Sequence, residues 1–171
     1  MLYAAEKSRS DERFGATKLN KILFFSDFLS YGLTGTPITG ATYQKLKNGP
    51  APVELKPVAR EIVAEHSGMF VKRAWFNYTQ TVLVPLRPAN INPFSAEEID
   101  LVDDVIRNLA PLDATETSLL SHDRSEAWQI AEIGDVIPYE AVFLSSRKPN
   151  SVDVGRAQEL ARQYGWLGTA K

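Results

Sequence analysis

Cysteine is absent from the 171 residues. That absence removes disulfide frameworks, thiolate nucleophiles and cysteine metal sites together, and it fits a reducing compartment. Histidine is scarce: only His66 and His122 occur, and a zinc site would need both to converge with a distant carboxylate. Long apolar runs are missing, since stretches such as "ILFF" fall far short of the ~20 residues of a membrane span. The start, "MLYAAEKSRSDER", lacks the basic-then-apolar order of a secretory leader. The chain therefore reads as soluble and cytoplasmic, without a membrane partner. An excess of one charge is lacking as well. With 19 basic and 21 acidic residues the formal net charge is −2, which gives no electrostatic reason to expect nucleic acid as the main partner. Nucleotide and nucleophile signatures are missing too. There is no Gly-Lys-Ser/Thr loop, "GLTGTPITG" does not have the spacing that cradles a pyrophosphate, and no G-x-S-x-G elbow occurs.

What is present is an ordinary globular composition, 44% hydrophobic and 23% charged, in a length that suits one domain over residues 1–171. Such a chain buries about 70% of its unfolded surface and needs no staple. "TKLNKILFFSDFLSYG" predicts a helix capped by Thr17 and closed by Gly32. Leu19, Ile22, Leu23 and Leu29 share one face; Phe24, Phe28 and Tyr31 lie roughly opposite, so this helix belongs at the centre. Gly35, Pro37 and Gly40 mark a loop, Thr42 to Leu46 an extended segment, and Asn48-Gly49-Pro50 a sharp turn. A helix from about Pro57, with Ala59, Ile62, Val63 and His66 on one face, closes at Gly68. A hairpin pairs Phe70–Phe76 with Thr81–Leu86 through a turn at "NYTQ". Ser95 and Glu98 form a capping box for a helix lined by Ile99, Val102, Ile106 and Leu109 and stopped by Pro111. Short helices follow at Thr115–Ser121 and Tyr139–Ser145, and a last one at about 151–165, capped by Ser151. The fold class is mainly α (α+β): a helical domain around a central aromatic-rich helix with a small antiparallel hairpin. Segregated helices and strands argue against a parallel βαβ sheet.

Chemistry-bearing residues are few. His122-Asp123 could hold a general base, but adjacent side chains on a helix diverge, and His122 reads instead as the end of a short helix near Trp128. Glu97, Glu98, Asp100, Asp103 and Asp104 fall on the polar face of an amphipathic helix and read as solvated, or as a surface for a basic partner. Lys72, Arg73 and Arg87 make a weak nucleic-acid footprint and read as charge that protects an edge hairpin. No catalytic residue, metal site or cofactor is implied.

One ordered set of motifs resembles the Panacea, or SocA-like, antitoxin domain. It comprises Lys18, Leu19, Lys21, Phe24 and Phe25 on the aromatic helix; Gly35, Pro37 and Ile38 in the loop; and Tyr43, Gly49, Pro50 and Pro52 in the extended segment and turn. "FSAEEIDLVDDVI" and the Ser121-His122…Trp128 element agree, so the resemblance spans roughly residues 15 to 145. It implies an antitoxin that neutralises a toxin encoded by a neighbouring gene, with some relatives delivering the toxin to a protease, and it implies no enzymatic activity. The rivals are a winged-helix-like DNA-binding regulator and an enzyme using His122. Lys18, Leu19, Lys21, Gly35, Pro37, Gly49, Pro50, His122 and Trp128 read as scaffold. The proline-stiffened turn is expected to aim Tyr43, Lys45, Lys47 and Asn48 at the toxin, or else to be a plain structural turn.

Overall fold

The computed structural model describes residues 1–75, 78–144 and 151–163. Helices α1 (Leu2–Lys7) and α2 (Ala16–Thr34) come first, then strands β1 (Tyr43–Leu46) and β2 (Gly49–Pro52), then α3 (Leu55–Ala64). A hairpin of β3 (Gly68–Trp75) and β4 (Tyr78–Pro85) follows, then α4 (Ala96–Leu109), α5 (Ala114–Asp123) and α6 (Glu126–Ile130). Strand β5 (Val136–Ile137), a 3₁₀ turn (Tyr139–Phe143) and α7 (Ser151–Gln163) complete the order. The mainly helical α+β class holds, with small antiparallel sheets in the orders β2-β1-β5 and β3-β4.

Helix α2 separates two apolar clusters, because its apolar residues recur on two faces. Leu19 and Ile22 pack with Phe14, Leu83, Val105 and Leu109. Phe24 and Phe28 pack with Tyr43, Ile137 and Ala141. Each such buried side chain contributes about 1.5–3 kcal/mol, which makes α2 the spine of the fold. Leu29 departs from its expected face and is 43% exposed. The helix ends differ from expectation as well. Gly15, in extended backbone, is the N-cap, and Thr17 already lies inside the helix. The left-handed residue that closes it is Gly35 (φ 78°), whose N–H donates to Tyr31 O at 2.8 Å. Gly32 stays helical for a packing reason: a Cβ there would meet Val142 at 3.3 Å.

Other boundaries move for local reasons. Helix α3 starts two residues before Pro57. It ends in a Schellman motif with His66 (φ 52°) as the left-handed residue and Ser67 N–H donating to Ile62 O, so Gly68 opens β3 instead. Of its expected face, Ile62 is buried while Val63 is 47% exposed. Tyr78, Thr79 and Gln80 belong to β4 and not to the turn; Phe76 and the turn lie outside the described residues. Helix α4 carries the expected capping box of Ser95 and Glu98, and α5 carries a second one, Asp113 and Glu116, that was not expected. Ser151 is the first residue of α7 and not its cap; Ser145 and Tyr164 lie outside the described residues. Among the described residues no helix is long and apolar enough to cross a membrane.

Candidate functional site

The turn at Asn48-Gly49-Pro50 is a two-residue connection between β1 and β2, and the segment after it is a strand. Sequence reasoning took Gly49, Pro50 and Pro52 as breakers. The pairing explains why they are tolerated. Lys45 donates its N–H to Asp135 O (2.8 Å) and accepts Gly134 N–H at its own carbonyl (2.9 Å), so its backbone groups face β5. Its partner Pro50 therefore sits at a position whose missing N–H would point away from β1, as does Pro52 opposite Tyr43. Proline on an edge strand in this register removes no ladder bond.

Three carbonyls of this hairpin are captured by three helices. Trp128 of α6 donates its indole N–H to Leu46 O at 3.2 Å, Ser118 of α5 its hydroxyl to Asn48 O at 3.0 Å, and Lys21 of α2 its ammonium to Pro50 O at 2.8 Å. Gly49 lies where they meet. Its φ is 94°, and a Cβ there would stand 2.5 Å from both Lys21 Nζ and Ser121 Oγ. Glycine is thus required twice over, by conformation and by space. Lys21 is 2% exposed, and burial lowers its pKa from 10.5 to about 7.

Trp128 is held on both faces. The His122 imidazole stacks on it at 3.6 Å with the rings 4° from parallel, and Lys45 Nζ lies 4.3 Å from the indole centroid while donating to Ala131 O. Burial, then the Lys21 and Lys45 charges, lower the His122 pKa, so the ring is neutral at pH 7. Its Nε2 is buried without a hydrogen-bond partner. A general base needs reach to a substrate proton, and this nitrogen is enclosed.

Tyr43 corrects the expectation that it points outward. It is 1% exposed, and its hydroxyl donates to Asp27 at 2.8 Å, beside the Thr39 N–H and hydroxyl that donate to the same carboxylate. Burial and the nearby Asp27 raise the pKa values of Tyr43 and Tyr139, keeping both phenols protonated as donors. Lys45 is also not presented outward, being occupied by Trp128 and Ala131. Of the four residues expected to face a partner, only Lys47 and Asn48 are exposed. The residues expected as scaffold are placed as such. Leu19 is in the core. Lys18 is 1% exposed, paired with Asp11 at 2.7 Å and donating to Ala110 O, which ties α2 to the end of α4. Gly35 caps α2, and Pro37 is half-buried in the loop that follows. Ser118 was missed; its spacing of three from Ser121, on the same helix face, was the available signal.

The remaining features sort readily. Of the acidic cluster, Glu98 caps α4, Asp103 accepts from Tyr3 and pairs with Lys7 at 2.9 Å, and Asp104 pairs with Arg107. Among the described residues no group of three could hold a metal ion. A wide cleft lined by Asp11, Trp75, Tyr78, Asp113 and Glu116 draws its acids from the Lys18 pair and the α5 capping box. A second cavity, of 420 Å³, lies between α2, α4, α5 and the 3₁₀ turn and is lined mainly by apolar side chains, among them Phe24, Phe28, Leu29, Leu120 and Val142, with Arg124 at its margin.

The chain matches the family described as antitoxin SocA-like, Panacea domain, over residues 19–129. That is well over half of its length, and the chain belongs to this family. The matched stretch runs from the first core residue of α2 to one residue past Trp128, so it contains every member of the hairpin lock. No curated protein and no solved structure matches.

Proposed function

We propose that the chain is an antitoxin that neutralises a toxin encoded by a neighbouring gene, binding it directly in the cytoplasm and catalysing nothing. The family match over residues 19–129 carries this reading. The enclosure of His122 between Trp128 and the protein interior supports a binding role over a catalytic one. The hairpin β3–β4 does not favour DNA, since Arg87 pairs with Glu65 at 3.4 Å and the whole chain is net acidic. A rigid body of this kind suits recognition by preformed surface, which avoids the ordering cost of a flexible binder.

The test is co-expression. The product of the adjoining gene should arrest growth when made alone, growth should recover when this chain is made with it, and the two should elute as one complex. A harmless neighbour, or toxicity undiminished by co-expression, refutes the reading. The toxin's lifetime in the rescued cells separates occlusion from delivery to a protease: occlusion leaves it long-lived, delivery shortens it.

A further inference from the structure

Helix α2 is the most buried element in its first half and carries apolar side chains into solvent in its second. Leu29 is 43% exposed and Leu33 75%; at a spacing of four they form one ridge. Leu29 and Val142 line the 420 Å³ cavity. Gly32, between the two leucines, lets the 3₁₀ turn approach closely enough that Val142 would touch a Cβ there. Phe143, the next residue, is 66% exposed and packs near Tyr31 at a ring distance of 6.1 Å. The apolar floor of the cavity therefore continues outward over Leu33 and Phe143. Exposed apolar surface of this continuity marks an interaction site. Arg124 is the only charged residue lining the cavity, and it makes no ion pair among the described residues.

We propose that this groove is where the toxin docks, and that the docking element is an apolar segment of the toxin bearing a carboxylate that meets Arg124. The proposal rests on the antitoxin reading and names its surface. The cavity alone could hold a small amphiphile, but the Leu33–Phe143 ridge extends past it, and only a protein partner covers both. The geometry resembles a groove that accepts large apolar side chains from one face of a helix. The lone guanidinium fixes orientation through a paired carboxylate.

The experiment uses the full chain and the product of the adjoining gene. Leu29→Glu and Arg124→Glu are made separately and compared with Lys47→Glu, on the hairpin away from the groove. Melting temperatures establish folding, and titration gives affinity. The expected result is a loss of about tenfold or more in at least one folded groove variant, with Lys47→Glu binding as wild type. Less than about tenfold in both groove variants, while the wild-type chain binds and protects, overturns the proposal and leaves the antitoxin reading standing. A wild-type chain that neither binds nor protects fails the antitoxin reading itself. Because the chain has no cysteine, Leu33→Cys places a single fluorophore on the ridge even if Leu29→Glu does not fold. Toxin should blue-shift its emission; a shift with sodium laurate and none with toxin assigns the groove to a small amphiphile and overturns the proposal.

Discussion

Lys21 should make the stability of this protein rise with pH across a window in which few other groups titrate. Its ammonium is 2% exposed, accepts compensation from one carbonyl at 2.8 Å, and has its pKa lowered from 10.5 to about 7 by burial. In the unfolded chain the same group holds its proton up to about pH 10.4. Between these values the unfolded state binds more protons than the folded state, so stability increases with pH. Below the folded pKa both states are charged and the full penalty of burying the charge is present; above the unfolded pKa it is gone. A shift of this size corresponds to about 5 kcal/mol in total, at about 1.4 kcal/mol for each pH unit. Two neighbours bound the usable window. His122, also lowered, adds a rise below about pH 6.5. Tyr43 and Tyr139, raised, subtract stability above about pH 10 as the unfolded phenols ionise first. From about pH 7.5 to 9.5 the wild-type chain should therefore gain roughly 2–3 kcal/mol in urea unfolding, while Lys21→Met, which fills similar volume without titrating, stays flat. Methionine leaves Pro50 O unpaired, so the variant should be the less stable of the two at the alkaline end, by about 1–3 kcal/mol for the lost acceptor bond. Parallel curves for the two proteins would refute the claim that Lys21 is uncharged in the fold above neutrality.

Three further outcomes follow from the same lock. Gly49→Ala forces a side chain into a positive-φ position and against Lys21 Nζ and Ser121 Oγ at 2.5 Å, and should cost about 2–4 kcal/mol by denaturant titration. A variant as stable as wild type would show that the hairpin can shift without loss. Trp128→Ala removes the His122 stack, the Lys45 contact and the bond to Leu46 O; about 3–5 kcal/mol should be lost, with protection falling in parallel with melting temperature, and protection lost at unchanged melting would make Trp128 a partner contact. Lys45 and Lys47 should part company. Lys45→Glu loses its place over Trp128 and its bond to Ala131 O and should cost about 1–2 kcal/mol, whereas exposed Lys47→Glu should stay within about 0.5 kcal/mol; equal effects by calorimetry would contradict the placement of Lys45.

The parts of the fold legible from sequence are those governed by local periodicity. Leu19, Ile22, Phe24 and Phe28 announced a two-faced central helix because a 3.6-residue repeat survives whatever packs on it. Ser95 and Glu98 announced a helix start because the capping box is closed within four residues. The illegible parts are those decided by distant partners. Gly49-Pro50-Ala51-Pro52 contains the strongest breakers in the chain, and only the direction of Lys45's backbone bonds shows that both prolines lie on the outer edge. Strand β5 is two residues long and exists because β1 offers it a partner. His66 replaces Gly68 as the residue that ends α3 because the Schellman geometry requires a left-handed residue at that position, not a glycine nearby. Hydropathy places Lys18, Lys21 and Tyr43 at the surface or its edge, while burial of all three depends on single acceptors: Asp11, Pro50 O and Asp27.

The lock also bears on how recognition can be organised in such a protein. Lys21, Gly49, Pro50, His122 and Trp128 direct their distinctive groups inward, at one another or at the hairpin backbone, and their chemistry is thereby consumed: the lysine by a carbonyl, the imidazole by an indole face, the glycine by space. A residue whose donors and faces are occupied inside cannot at the same moment engage a partner without breaking what it holds. Any partner must therefore be met by residues outside this set, such as Leu29, Leu33, Arg124 and Phe143, none of which the hairpin needs for its own structure. Substitutions there change the surface at a stability cost of well under about 1 kcal/mol each when exposed, while substitutions in the lock cost several times more. A fold partitioned in this way can keep its internal bonds fixed and vary its outer face freely. That separation lets one scaffold be fitted to partners that differ in shape, and it locates the determinants of partner choice in residues that no motif would single out.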